Sequence, residues 1–153
     1  MRKLFAYVFT FLMFGLITGC APYPPLIQAT MDGDINAVRT LLDRGEDINV
    51  WYGGTPLITA SCIGNTAMVK LLLDRGADVN AMSEGGESAL GYAAEYGHVE
   101  IVKMLINKGA NVDNAIIGLE KRAAYYAKPP TVHERVAGAK NGIRLLEQLR
   151  ANP

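Results

Sequence analysis

The sequence predicts an all-α solenoid: about four helix-turn-helix units stacked in a row behind an N-terminal leader. Three observations predict it. Segments of the 153-residue chain repeat at offsets of 31 and then 33 residues. Within each segment apolar residues recur at helical spacing and glycines interrupt them at fixed places. The two cysteines and two histidines are too few for a disulfide scaffold or a Cys/His zinc site, so packing alone must hold the chain together.

The leader comes first. Met1-Arg2-Lys3 is a short basic start, and Leu4 to Ile17 is apolar apart from Thr10 and Gly15. A basic start, a run of about 14 apolar residues and a small-residue end describe a secretory signal. The run is short for a bilayer span, which takes about 20 residues. Ile17-Thr18-Gly19-Cys20 resembles the lipobox of bacterial lipoproteins. That resemblance implies cleavage after residue 19 and a diacylglyceryl group on the Cys20 sulfur. Two or three acyl chains, at about 0.8 kcal/mol per buried CH₂, would hold the protein on a membrane durably. Ala21 follows the cysteine, and by likeness to Gram-negative lipoproteins this implies an outer-membrane protein facing the periplasm. The expected layout is a signal peptide at 1–19, a lipidated cysteine and tether at 20–23, and the repeat domain at 24–150. With Cys20 acylated, Cys62 has no disulfide partner in the chain and is expected to be at least partly buried.

Three repeats follow, at about 24–49, 50–80 and 81–113. Gly33, Gly64 and Gly97 mark one register; Gly45, Gly76 and Gly109 mark another. Leu57 and Ala60 share a face of a short first helix, which Gly64 ends as a left-handed residue. Val69, Leu72 and Leu73 form the stripe of a second helix, and Gly76 caps it. Asp-Val-Asn then opens a turn, because Asp and Asn side chains close turns on their own backbone. Each hairpin is apolar on both sides and is buried only by stacking on its neighbours.

Thr55-Pro56-Leu57, Gly97-His98 and Gly76-Ala77-Asp78-Val79-Asn80 resemble the ankyrin repeat. The resemblance implies a protein-binding scaffold whose fingers and first helices line the gripping face. Two departures matter. The family's His after Thr-Pro-Leu is Ile58 in one repeat and Gly91 in the next, so a polar network between neighbouring loops is lost. The stretch Asn49–Thr55 is also two residues shorter than Asn80–Ser88, which trims the first finger.

Residues 114–150 are expected to form a degenerate capping unit. Ala123–Ala127 would be its first helix, and Gly138 to Leu146 keeps the spacing of Gly64 to Leu72. Pro129-Pro130 interrupts the two, and Thr131 with Glu134 has a capping-box spacing that starts a new helix. Arg144, Glu147, Gln148 and Arg150 suit the polar outer face that ends a stack.

Catalysis finds little support. Cys62 with His98 is the one nucleophile–base pair the register brings near, and it lacks a third orienting group or an oxyanion element. His133-Glu134 lacks the second histidine of a zinc protease motif, and the Gly53-Gly54 and Gly85-Gly86 pairs do not resemble a phosphate loop. No enzyme activity, metal or cofactor is expected. Without Arg2 and Lys3 the chain has 13 basic and 15 acidic residues, about −2 overall, which gives no electrostatic reason for a nucleic-acid partner.

The better signal lies where the scaffold leaves residues free. The ankyrin resemblance places Trp51, Tyr52, Met82, Glu84 and Gly85 on fingers, and Met31, Asp32, Cys62, Ile63, Glu95 and Tyr96 on the first helices. Nothing in the repeat requires Trp51, Tyr52, Ile63 or Tyr96 to be large and apolar, and such residues mark binding surfaces. The expected partner surface is Trp51, Tyr52, Ile63, Met82, Glu84, Glu95 and Tyr96, with membrane attachment through Cys20. The expected function is protein binding in the bacterial envelope. One form is immunity against a secreted antibacterial effector, by analogy with small periplasmic ankyrin lipoproteins. The alternative is a structural or chaperone-like assembly factor for an envelope enzyme.

Overall fold

A computed structural model describes residues 23–127 and 133–151. The leader, Cys20 and the Thr131–Glu134 capping pair, of which only the backbone from His133 is described, lie outside those side chains. Among the described residues the regular elements are helices: α1 (Pro25–Met31), α2 (Ile35–Asp43), α3 (Pro56–Ile63), α4 (Thr66–Asp74), α5 (Ala89–Glu95), α6 (Val99–Asn107), α7 (Val112–Tyr126) and α8 (His133–Ala151).

The first helices are short and start sharply. Thr55 caps α3 by accepting from the Ile58 N–H, Ser88 caps α5 by accepting from Gly91, and Pro25 and Pro56 stand where a helix needs no donor. The second helices are capped by Asp34 and Asn65, which accept from Ala37 and Met68. His98 holds the equivalent place before α6 but makes no such bond. Each second helix ends identically. In the second repeat Ala77 N–H bonds back to the Leu72 carbonyl and Gly76 N–H to that of Leu73, with Gly76 left-handed at φ +85°.

Stacking follows from the stripes. α1 packs on α3 and α3 on α5, while α4 packs on α6. Leu26, Leu57 and Leu90 are buried along the first helices, and Val38, Val69, Leu72, Val102 and Leu105 along the second. Side-chain bonds join the repeat ends. Asp47 and Asp78 each accept from the backbone N–H two residues on. Asn49 then accepts from the Asp78 N–H of the next repeat at 2.8 Å, and Asn80 from the Asn111 N–H at 2.8 Å. The Asp-x-Asn pattern therefore has two jobs: Asp closes the turn and Asn binds the neighbour.

The C-terminal unit departs from expectation. Asn111 does not continue the row of bonds; its side chain accepts from the Asn114 N–H and starts α7 there. No finger separates the third repeat from the fourth unit, and Ala123–Ala127 is the end of a 15-residue helix rather than a separate one. Gly138 is not a turn either: the 19-residue α8 runs through it. α8 packs on α7, and both lie against α5. A Cβ on Gly142 would sit 2.9 Å from the Ala94 carbonyl carbon, and one on Gly138 3.3 Å from the Glu95 carbonyl oxygen. The two glycines are where α8 meets the backbone end of α5. Ala139 and Leu146 fill the same seam, while Arg144, Glu147, Gln148 and Arg150 are exposed on the outside.

Candidate protein-binding surface

The proposed site residues fall into two linked groups and one exception. The first group is on the fingers. Trp51 is 55 % exposed, and its indole N–H donates to the Met82 carbonyl at 3.4 Å across to the second finger. The Glu84 N–H donates to the Gly53 carbonyl at 3.1 Å, so backbone and indole together tie the two fingers where the absent histidines would have done so. Tyr52 is exposed and packs against the Tyr23 ring, with centroids 4.9 Å apart. Glu84 and Met82 are exposed at the second finger.

The second group is at the C-terminal ends of the first helices. Met31 ends α1, Ile63 ends α3 and Tyr96 follows α5, and each is about half exposed (46 %, 53 % and 50 %). One large apolar side chain thus stands at the end of each of the three first helices: Ile63 and Tyr96 share one register position, just before Gly64 and Gly97, and Met31 stands one position earlier, two residues before Gly33. Beneath Ile63 and Tyr96 the surface is supported by His98, whose Nε2 lies 3.3 Å from the Cys62 carbonyl oxygen. The His98 ring covers the Cα of Gly64, and a Cβ there would come within 2.5 Å of the ring. Gly64 is therefore required twice, by that contact and by its left-handed φ of +84°.

Glu95 is the exception. Expected on the open face, its side chain is only 5 % exposed and lies 3.2 Å from Arg122 Nε. Arg122 also meets Glu87 at 3.5 Å, lies over the Tyr92 ring at 4.6 Å and approaches Tyr126. Burial alone would lower the pKa of this guanidinium; Tyr92, Glu95 and Tyr126 raise it, so it stays charged. The reason for the departure is α7: a regular repeat would leave the end of α5 open, and here a long helix lies across it. An open groove of about 560 Å³ runs between the second finger (Ser83, Glu84, Gly85) and α7 (Lys121, Tyr125), with Arg122 in its wall. The Arg122 cluster was missed by sequence reasoning, and only the i, i+4 spacing of Arg122 and Tyr126 hinted at it.

The Cys62–His98 pair has no catalytic geometry. His98 addresses the Cys62 backbone carbonyl rather than Sγ. Burial pushes the Cys62 thiol up, against the opposing effects of the Arg122 charge and a hydrogen bond from Tyr96, and a raised thiol keeps its proton and is a poor nucleophile. Among the described residues no group of three or more His, Cys, Asp and Glu could hold a metal ion, and no helix is long and apolar enough to cross a membrane.

Residues 26–116 match the family described as Ankyrin repeats (3 copies). The chain belongs to the ankyrin-repeat family. No curated protein matches it. The ankyrin match spans the three regular hairpins and ends just inside α7, where the ladder of Asn bonds also ends. The ankyrin-repeat fold is a protein-interaction scaffold and not a catalytic one.

Proposed function

We propose that this ankyrin-repeat chain is held in a bacterial envelope by lipid on Cys20, on the periplasmic side of the outer membrane, and grips a protein partner there. The observation that carries the partner surface is the row Met31, Ile63 and Tyr96. The scaffold needs no large apolar group at these places, and one such group at the end of each first helix suits an extended contact. Ile63 and Tyr96 come from the seven expected residues; Met31, one register position earlier, joins them by its exposure at the end of α1, and Glu95 leaves the set because it is engaged with Arg122.

The finer form of this reading is immunity, in which the partner is a secreted antibacterial effector that the chain occludes. Its support is likeness to small periplasmic ankyrin lipoproteins encoded beside such effectors. A neighbouring effector or secretion-tip gene supports it, and an isolated locus counts against it.

The test is capture from envelope extracts with the full chain, beside an Ile63→Ser/Tyr96→Ser variant of unchanged helicity. A partner held by the first and lost by the second supports the row. Equal capture by both refutes it and moves attention to the groove between the second finger and α7.

A further inference from the structure

The finger group differs from the helix-end row in one respect: it lies beside the tether. Three residues separate Cys20 from the first repeat, and three residues reach at most about 10 Å. The last of them, Tyr23, packs on Tyr52, whose neighbour Trp51 is the only tryptophan in the chain. The rings of Tyr23, Trp51 and Tyr52 therefore stand close to wherever the Cys20 lipid enters a bilayer. A polar headgroup layer is about 5–8 Å deep on each side of the hydrocarbon. Tryptophan and tyrosine favour that layer, because their rings are apolar and their N–H or O–H groups are not.

Charge points the same way. Residues 21–31 and 48–69, the two stretches that supply these rings, contain no Asp, Glu, Lys or Arg. The second finger, by contrast, carries Glu84 and Glu87. Bringing the first finger to a headgroup layer desolvates no charge of its own. Its indole is also already oriented, because Met82 accepts its N–H.

We propose that Tyr23, Trp51 and Tyr52 seat the first finger in the headgroup layer of the membrane that carries the Cys20 lipid. The stack then stands on its first finger. Helix α3 is eight residues long, about 12 Å at 1.5 Å per residue. The row Met31, Ile63 and Tyr96, at the far ends of the first helices, is thereby held off the bilayer and faces the periplasm. This inference rests on lipid attachment at Cys20.

The experiment uses the full chain, purified with its native lipid and reconstituted in phosphatidylethanolamine/phosphatidylglycerol vesicles. Mass measurement and flotation report the anchor; the emission of Trp51 reports the finger. The expected result is a floating, acylated chain whose Trp51 emission shifts to the blue, is strongly quenched by brominated lipid, and is severalfold less sensitive to aqueous iodide than in detergent-free urea. A Trp51→Phe/Tyr96→Trp variant moves the probe to the row and is expected to remain iodide-sensitive and insensitive to brominated lipid. A floating chain whose Trp51 stays open to iodide overturns this inference alone and leaves the finger to a protein partner. Equal lipid quenching at both probe positions overturns the standing orientation. A chain with no acyl group that does not float overturns the anchoring reading and this inference with it.

Discussion

The three regular repeats and the C-terminal unit are built from the same residue types used in opposite ways. In the repeats, glycine turns the chain: Gly64 and Gly76 take left-handed φ values at helix ends. In the C-terminal unit, Gly138 and Gly142 sit inside a helix and let it touch the backbone of α5. In the repeats, Asn49 and Asn80 bind the next unit; Asn111 binds its own helix. In the repeats, ion pairs such as Asp43–Arg75 and Asp74–Lys108 are exposed, whereas Arg122 with Glu87 and Glu95 is nearly enclosed. The regular part repeats a few local solutions. The terminal part is a single long-range fit, made once.

Substitutions can break that contrast at three levels. The largest effect is expected at Arg122→Ala. It leaves the carboxylates of Glu87 and Glu95, 12 % and 5 % exposed, without their shared cation. Removing one member of a buried ion cluster costs about 3–5 kcal/mol, and the contact of Arg122 and Glu87 with the open groove sets the expectation at the lower end of that range. Urea unfolding checks it, and a loss below about 1 kcal/mol would show that the cluster is as loosely held as a surface pair.

Gly142→Ala comes next. A helix interior prefers alanine by roughly 1 kcal/mol, but the new Cβ would meet α5 backbone at 2.9 Å, and such overpacking costs about 1–3 kcal/mol. Net destabilisation is expected. The companion Gly118→Ala, in α7, meets its nearest neighbour at an ordinary 3.5 Å and is expected to be neutral or stabilising. Thermal melts of the pair sharpen the comparison; equal shifts would mean that α8 does not depend on close approach.

The smallest effect is expected at Asn80→Ala, which removes a bond from Asn111 N–H and one to the Gly109 carbonyl, both exposed, at about 1 kcal/mol. Amide hydrogen exchange at Asn111 should accelerate while that at Met68, beneath the Asn65 cap, stays unchanged.

The regular repeats were legible because each motif residue has a local reason to be there. Thr55 caps, Pro56 starts a helix, Gly64 and Gly76 turn, and Asp78 closes a turn, so the pattern survives without knowledge of the neighbours. The terminal unit was not, because its key residues obey distant partners. Gly138 has the spacing of Gly64, and spacing alone does not say whether a glycine bends a chain or clears room for another helix. Glu95 lies where a regular repeat would expose it; its partner Arg122 is 27 residues away in a unit that does not repeat. The site was half legible for the same reason. Trp51, Tyr52, Met82, Ile63 and Tyr96 are exposed because a repeating frame leaves them out, and that frame was visible.

The turned-in side chain of Asn111 has a consequence for how such an array can change in length over generations. Gene duplication lengthens a solenoid only where a new unit finds donors and acceptors on both sides. A hairpin inserted between Asn49 and Asp78 would meet the same Asn side chain and the same backbone N–H that now face each other there. A hairpin appended after the third repeat would find Asn111 already engaged with Asn114 and α8 lying across α5. The array is open to growth from within and closed at its C-terminal end.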